Sequence, residues 1–168
     1  MYRSLLASTL LGICFLCGVL GVSQQPDPQR IAIQPFPNFA QQLVDETLAK
    51  HPDLLVLAFH VVIPGDSLNR VVAINKVQHP KFLGRPSDDI DTDTAKTSRT
   101  VVQVIPATHR MEVHMPLHDK SGKTIATLVT VYNFKDEEEA PELMRRSQAI
   151  RDELTPRITG VDQLLASQ

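Results

Sequence analysis

The stretch RMEVHMPLHDKSGKTIATLVTVYNF, residues 110–134, constrains the fold more than any other part of the chain. It holds two runs of strand-forming residues joined by Asp119-Lys120-Ser121-Gly122-Lys123, a loop with glycine where a positive φ is favoured. A chain with such a hairpin must build an antiparallel sheet around it and cover at least one face. The first strand alternates Arg110, Glu112 and His114 with Met111, Val113 and Met115, so one face is ionisable and the other apolar.

The remaining elements can be placed around that hairpin. LLVLAFHVVI (54–63) is rich in branched residues, short for a helix, and stops at Pro64-Gly65-Asp66; RVVAINKV (70–77) returns as its partner. Asn38 is placed to cap a helix, with Gln41 at the third helical position and Phe39, Leu43, Val44 and Leu48 at helical spacing until His51-Pro52. After the first hairpin comes QHPKFLGRPSDDIDTDTAKTSR, with Ser87 as the expected cap of one or two turns that begin with acids. TVVQVI (100–105) is a further strand. EEEAPELMRRSQAIRDEL is an acid-first helix with Ala140, Leu143, Ser147, Ile150 and Leu154 on one face, ended by Thr155-Pro156, and Leu164-Leu165 indicates a short terminal turn. The expected class is α+β: a five-stranded antiparallel sheet with an N-terminal helix, a helical connection after strand 2 and a C-terminal helix. One domain spans residues 38–155, followed by a helical tail, 156–168. Leu55, Leu57, Val72, Ile74, Val102, Val113, Leu128 and Val131 are expected to be mostly buried.

The start of the chain differs in kind. MYR is positive, SLLASTLLGICFLCGVL is apolar, and GVS before Gln24 supplies the small residues at which signal peptidase cuts. Residues 1–23 are expected to be a secretory signal cleaved near Ser23, which makes the mature protein secreted or periplasmic. An uncleaved anchor is the alternative, because the run is near the lower limit for spanning a bilayer. Lipid attachment at Cys14 or Cys17 lacks the small residue wanted at Ile13 or Leu16. Both of the 2 cysteines lie in this segment, so a chain cut there has no disulfide, thiolate metal site or cysteine nucleophile. Residues 24–37, QQPDPQRIAIQPFP, read as an extended leader. The 17 Lys and Arg are interleaved with 19 Asp and Glu for a net charge of −2, which leaves no basic face for nucleic acid.

The run Leu83-Gly84-Arg85-Pro86-Ser87-Asp88-Asp89, then Arg110-Met-Glu-Val, Pro116-Leu-His-Asp119 and Ser121-Gly122-Lys123 before a final small-and-branched strand, resembles extracellular Cache domains, the PAS-like sensor modules of bacterial signalling proteins. The resemblance covers residues 38–155. It implies that the N-terminal helix covers one face of the sheet and that the connection after the second strand closes over a small-molecule pocket on the other. It also implies a ligand that meets side chains of the third to fifth strands and of that connection. Cache domains sit between two membrane spans and feed an output domain, and neither is expected in this chain. Nor does it carry an aromatic-rich amino-acid pocket, with no Trp and only Tyr132 in the folded part. A free-standing exported module fits better, with a membrane signalling partner and a homodimer both left open.

Two readings of the ionisable strand face follow. It is either a solvated face with Arg110 and Glu112 paired at the surface, or the floor of a pocket in which Arg110 grips a carboxylate and His114 orients it. On the second reading Arg110, His114, Tyr132, Glu112 and His60 are the ligand-binding residues, Tyr132 as a polar tip on the last strand and His60 from the first. A metal site is not expected: His114 and His118 share strand parity but lie about 13 Å apart along a strand. DDIDTDT alternates acids as in a calcium loop, yet Thr94 and Thr100 stand where that loop needs glycine and glutamate. No catalytic motif and no cofactor motif is present. The function expected is a sensor-type module for a small polar or carboxylate ligand. The alternative is a non-catalytic interaction protein of PAS-like fold whose pocket is lost and which dimerises or docks by its sheet edge or C-terminal helix.

Overall fold

Helix α1 (Phe39–Lys50) begins where the capping signal places it. Asn38 Oδ1 accepts from Gln41 N at 2.9 Å, and the same side chain's Nδ2 donates to Val72 O at 3.1 Å. The cap therefore also ties the helix to the sheet. Asn38→Ala should cost about 2 kcal/mol, the upper end for a cap, because both bonds are buried. A urea midpoint lowered at unchanged slope would register it.

The computed structural model describes residues 31–33, 36–75 and 80–168. The expected signal segment, its cleavage site and most of the leader lie outside the described residues, as does the expected end of the second strand beyond Asn75. The part of the leader that is described corrects the expected start of the domain at Asn38. Ile33 is buried, and Ile31 N donates to Gly84 O at 3.1 Å.

The sheet contains β1 (Leu54–Val62), β2 (Asn69–Ile74), β3 (Val101–Ile105), β4 (Arg110–His118) and β5 (Thr124–Asn133), all neighbours antiparallel, in the order β2-β1-β5-β4-β3. Helices α3 (Ala140–Leu154) and α4 (Val161–Leu165) join α1 on one face. Leu57, Phe59, Met111, Val113, Met115 and Leu128 of the sheet meet Leu43, Ile150, Leu154, Ile158 and Leu164 there, which is the main core. Apolar residues at period two on the strands and three to four on the helices account for this layer. The tail 156–168 belongs to it: Ile158 and Leu164 are fully buried, and Phe39 N donates to Ala166 O at 2.9 Å.

The opposite face carries a smaller apolar cluster, Val56, Ala58, Val71, Ile74, Val129 and Val131. Helix α2 (Asp89–Thr97) packs over that face against β4 and β5. Its cap is Asp88, whose Oδ1 accepts from Asp91 N at 3.0 Å, so the expected cap at Ser87 is corrected by one residue. A β-bulge shapes the β1–β2 pair. Phe59 pairs with Ala73 and His60 with Val71, which leaves Val72 as the extra residue. Val71 and Ile74 consequently both face the smaller cluster while Val72 and Ala73 both enter the main core. Val102 contradicts the burial expected of it, at 40% exposed. It lies on the edge strand β3, beyond the reach of the helices, and its partner Val113 one strand inward is fully buried.

Candidate functional site

Strand parity on the α2 side of the sheet brings three chemistries to one surface. On β4 it presents Arg110, Glu112 and His114; on β5, Val129 and Val131; on β1, Val56, Ala58 and His60. The register places Glu112 directly beside Val131 and His114 beside Val129. Above them the connection contributes Phe82, Arg85, Pro86, Ser87, Asp88 and Asp91, enclosing a cavity of about 600 Å³. That size suits a small molecule. The floor is largely segregated: apolar over β2, β5 and at Val56 and Ala58 of β1, ionisable over β4 and at His60.

Asp91 lines the cavity beside His60 and His114. It projects from the first turn of α2 onto the sheet and is buried, as is His114. Its Oδ1 accepts from His114 Nδ1 at 2.7 Å, its Oδ2 lies 2.8 Å from His60 Nδ1, and its backbone carbonyl accepts from Thr127 Oγ1 at 2.7 Å. One residue thereby holds α2 to three strands. His60 Nδ1 also lies 2.8 Å from Ser87 Oγ. Burial opposes charge on Asp91, but hydrogen bonds from His114 and His60 outweigh it and hold the carboxyl well below the usual carboxylate range. Burial likewise opposes charge on His114, and the hydrogen bond to Asp91, then the nearby Glu112 carboxylate, prevail, raising it to about 9. At neutral pH the pair is imidazolium and carboxylate. His114 Nε2 is shut off from water and sits 3.7 Å from Glu112 Oε2, so this histidine spans two carboxylates.

Arg110 is different. It is half-buried at the cavity wall, and among the described residues its guanidinium makes no ion pair or side-chain hydrogen bond. The surface pair with Glu112 that one reading of the sequence expects is not formed. An arginine fork at the wall of a partly desolvated cavity favours a carboxylate, which it can meet with two parallel bonds.

Of the five sequence-nominated residues, His60, Arg110, Glu112 and His114 line this one cavity. Tyr132 does not, and its placement on the pocket rim is corrected. It pairs with Met111, so its side chain points to the helix side, where it is 2% exposed in the main core and borders a separate recess beside Asp53 and Arg146. Sequence reasoning missed Asp91, which it took for one of several acids at a helix start. Among the described residues no group of three or more His, Cys, Asp or Glu is placed to hold a metal ion.

Comparison with solved structures bears on the fold. A GAF domain from A. aeolicus, crystallised in an inactive state, superposes with a TM-score of 0.54 at 10% identity, over 70% of this chain and 83% of that one. The fold is GAF-like. A transcriptional regulator of the IclR family from Rhodococcus sp. superposes with a TM-score of 0.50 at 13% identity, covering 81% of this chain and 67% of that one. No protein-family profile and no curated protein matches the sequence. The five-stranded antiparallel sheet flanked by N- and C-terminal helices expected from the sequence is thus the GAF and PAS-like arrangement. The narrower Cache resemblance has no match among these comparisons.

Proposed function

We propose that this chain is an exported, non-catalytic sensor module of the Cache type that binds a small amphipathic carboxylate and presents its liganded state to a membrane partner. One observation carries the ligand class: Arg110, which makes no ion pair among the described residues, stands at the wall of a cavity of about 600 Å³ whose floor sets Val56, Ala58, Val129 and Val131 beside Glu112, His114 and His60. The acid meets Arg110 and the apolar body lies across β5 and β1, where its burial contributes about 25 cal/mol per Å². Export rests on the sequence of residues 1–23, with its positive start, apolar core and small residues before Gln24. The non-catalytic reading rests on the sequence, which carries no catalytic motif.

The test is a thermal-shift panel of short aliphatic and aromatic monocarboxylates, each beside its neutral amide. At least one acid should raise the midpoint in proportion to the logarithm of its concentration, and its amide should not, because a ligand that binds only the folded state stabilises by mass action. A panel in which no acid outperforms its amide would sink the reading.

A further inference from the structure

The two edges of the sheet are finished differently. Along β2 the protein covers its own edge. Val71 N donates to Arg85 O at 3.1 Å, Gly84 N to Val71 O at 2.9 Å and Ser87 N to Asn69 O at 2.8 Å. Beyond the bulge, Val72 O accepts from Asn38 Nδ2, and Ile74 O and N are both met by the Gln41 amide, at 2.9 and 3.2 Å. At the other end β3 pairs with β4 alone among the described residues, and no bridge closes its outer side. Edge strands that remain unpaired usually carry a charge, a proline or a bulge. Val101–Ile105 has none of these, and Val102 and Val104 stand 40% and 43% exposed.

We propose that β3 is a self-association surface, pairing antiparallel with β3 of a second copy about a twofold axis at Gln103. The chemistry of an open edge calls for another strand. The other free edge a copy might offer, β2, is occupied by residues 84–87 and by Asn38 and Gln41, so head-to-tail growth is blocked and the closed, isologous pair remains. The strand VVQVI is self-complementary under that axis. Val101 meets Ile105, Val102 meets Val104, and Gln103 meets its own copy, whose amide can return its hydrogen bonds. Val102 and Val104 of both copies then form one cross-strand cluster on the helix side, removing from water the apolar side chains that the monomer leaves exposed. The two sheets become continuous, with Arg110, Glu112 and His114 one strand from the axis on the other side.

The axis brings the two Gln103 Cα atoms to about 4.5–5.5 Å, the separation of directly opposed residues in an antiparallel pair and within reach of a disulfide. In the full chain with Cys14→Ser and Cys17→Ser, Gln103→Cys should therefore cross-link to a dimer under mild oxidation far faster than Arg145→Cys on exposed α3. Sedimentation of the parent should show a dimer, and Val102→Lys with Val104→Lys should be monomeric with unchanged circular dichroism. A monomeric parent, a dimer that survives both lysines, or cross-linking at 103 no faster than at 145 would each overturn the proposal. So would a monomer whose β3 amides resist exchange, since a segment of its own chain would then cover the edge.

Discussion

Asp91→Ala is expected to destabilise the folded chain by about 3–5 kcal/mol, the range for removing one partner of a buried ion pair and leaving the other uncompensated. The carboxylate is the common partner of His114 and His60, and its loss strands a buried imidazolium against Glu112 alone. Asp91→Asn keeps the shape and one acceptor, so it should cost less. The two variants separate charge from packing. The pH dependence has a definite sign. His114 has a folded pKa of about 9 against an ordinary 6.5, so its contribution is complete below 6.5 and is lost as pH rises through 9. Asp91 is held below its ordinary 3.8, so its contribution is present above that value and disappears as pH falls through the lowered one. The stability gap between parent and Asp91→Asn should therefore be widest at roughly pH 4–6.5 and close towards pH 9 and above. Urea titrations across that range measure it. A gap that is flat with pH would mean that the carboxylate acts only through shape.

Arg110→Ala should leave the stability of the unliganded chain nearly unchanged, since among the described residues this guanidinium has no ion-pair partner to lose, while costing about 2–5 kcal/mol of affinity for the best acid of the panel. The loss is large because a carboxylate drawn into a half-buried cavity without its counter-charge forfeits its hydration uncompensated. Arg110→Lys keeps the charge but not the fork, and should fall between parent and alanine. Calorimetric titration of the three proteins with the same acid decides the matter. Equal affinities would place the acid elsewhere in the cavity, or outside it. The His114 variants answer a different question. With Nδ1 committed to Asp91, replacing this residue acts first on the hold of α2 over the sheet and only then on ligand.

The strands, the helical faces and the Asn38 cap were legible because each depends on residues within a few positions of one another. The same holds for the alternation on β4, which put Arg110, Glu112 and His114 on one face before any partner strand was known. What escaped depends on register and sheet order, which no local pattern carries. Tyr132 looked like a companion of Arg110. A five-residue turn does not fix whether position 132 or 131 shares the face of 110, and the register pairs Tyr132 with Met111. Val102 looked like core because VVQVI is as apolar as any strand, but apolar content does not say which strand lies at the edge. Asp91 was hidden among Asp88, Asp89 and Asp93. A signal was nonetheless there, since Asp91 and Thr94 are three apart and share one face of the helix DIDTDTAKT, the face that α2 buries.

The bulge in β2 sets a rule for changes in chain length. With Val72 omitted, Val71 and Ala73 would become neighbours and pair with His60 and Phe59 as they already do. The ladder would then alternate regularly, with Val71 and Ile74 still facing the cavity. A one-residue loss here is neutral to the binding face and falls on the helix side, as a missing core valine and a missing acceptor for Asn38. A one-residue loss at any regular position of β1 or β4 instead inverts every side chain beyond it, exchanging Arg110 or His60 for a core residue. Among lineages of this chain, single-residue indels in the sheet that preserve the cavity are therefore to be looked for at position 72.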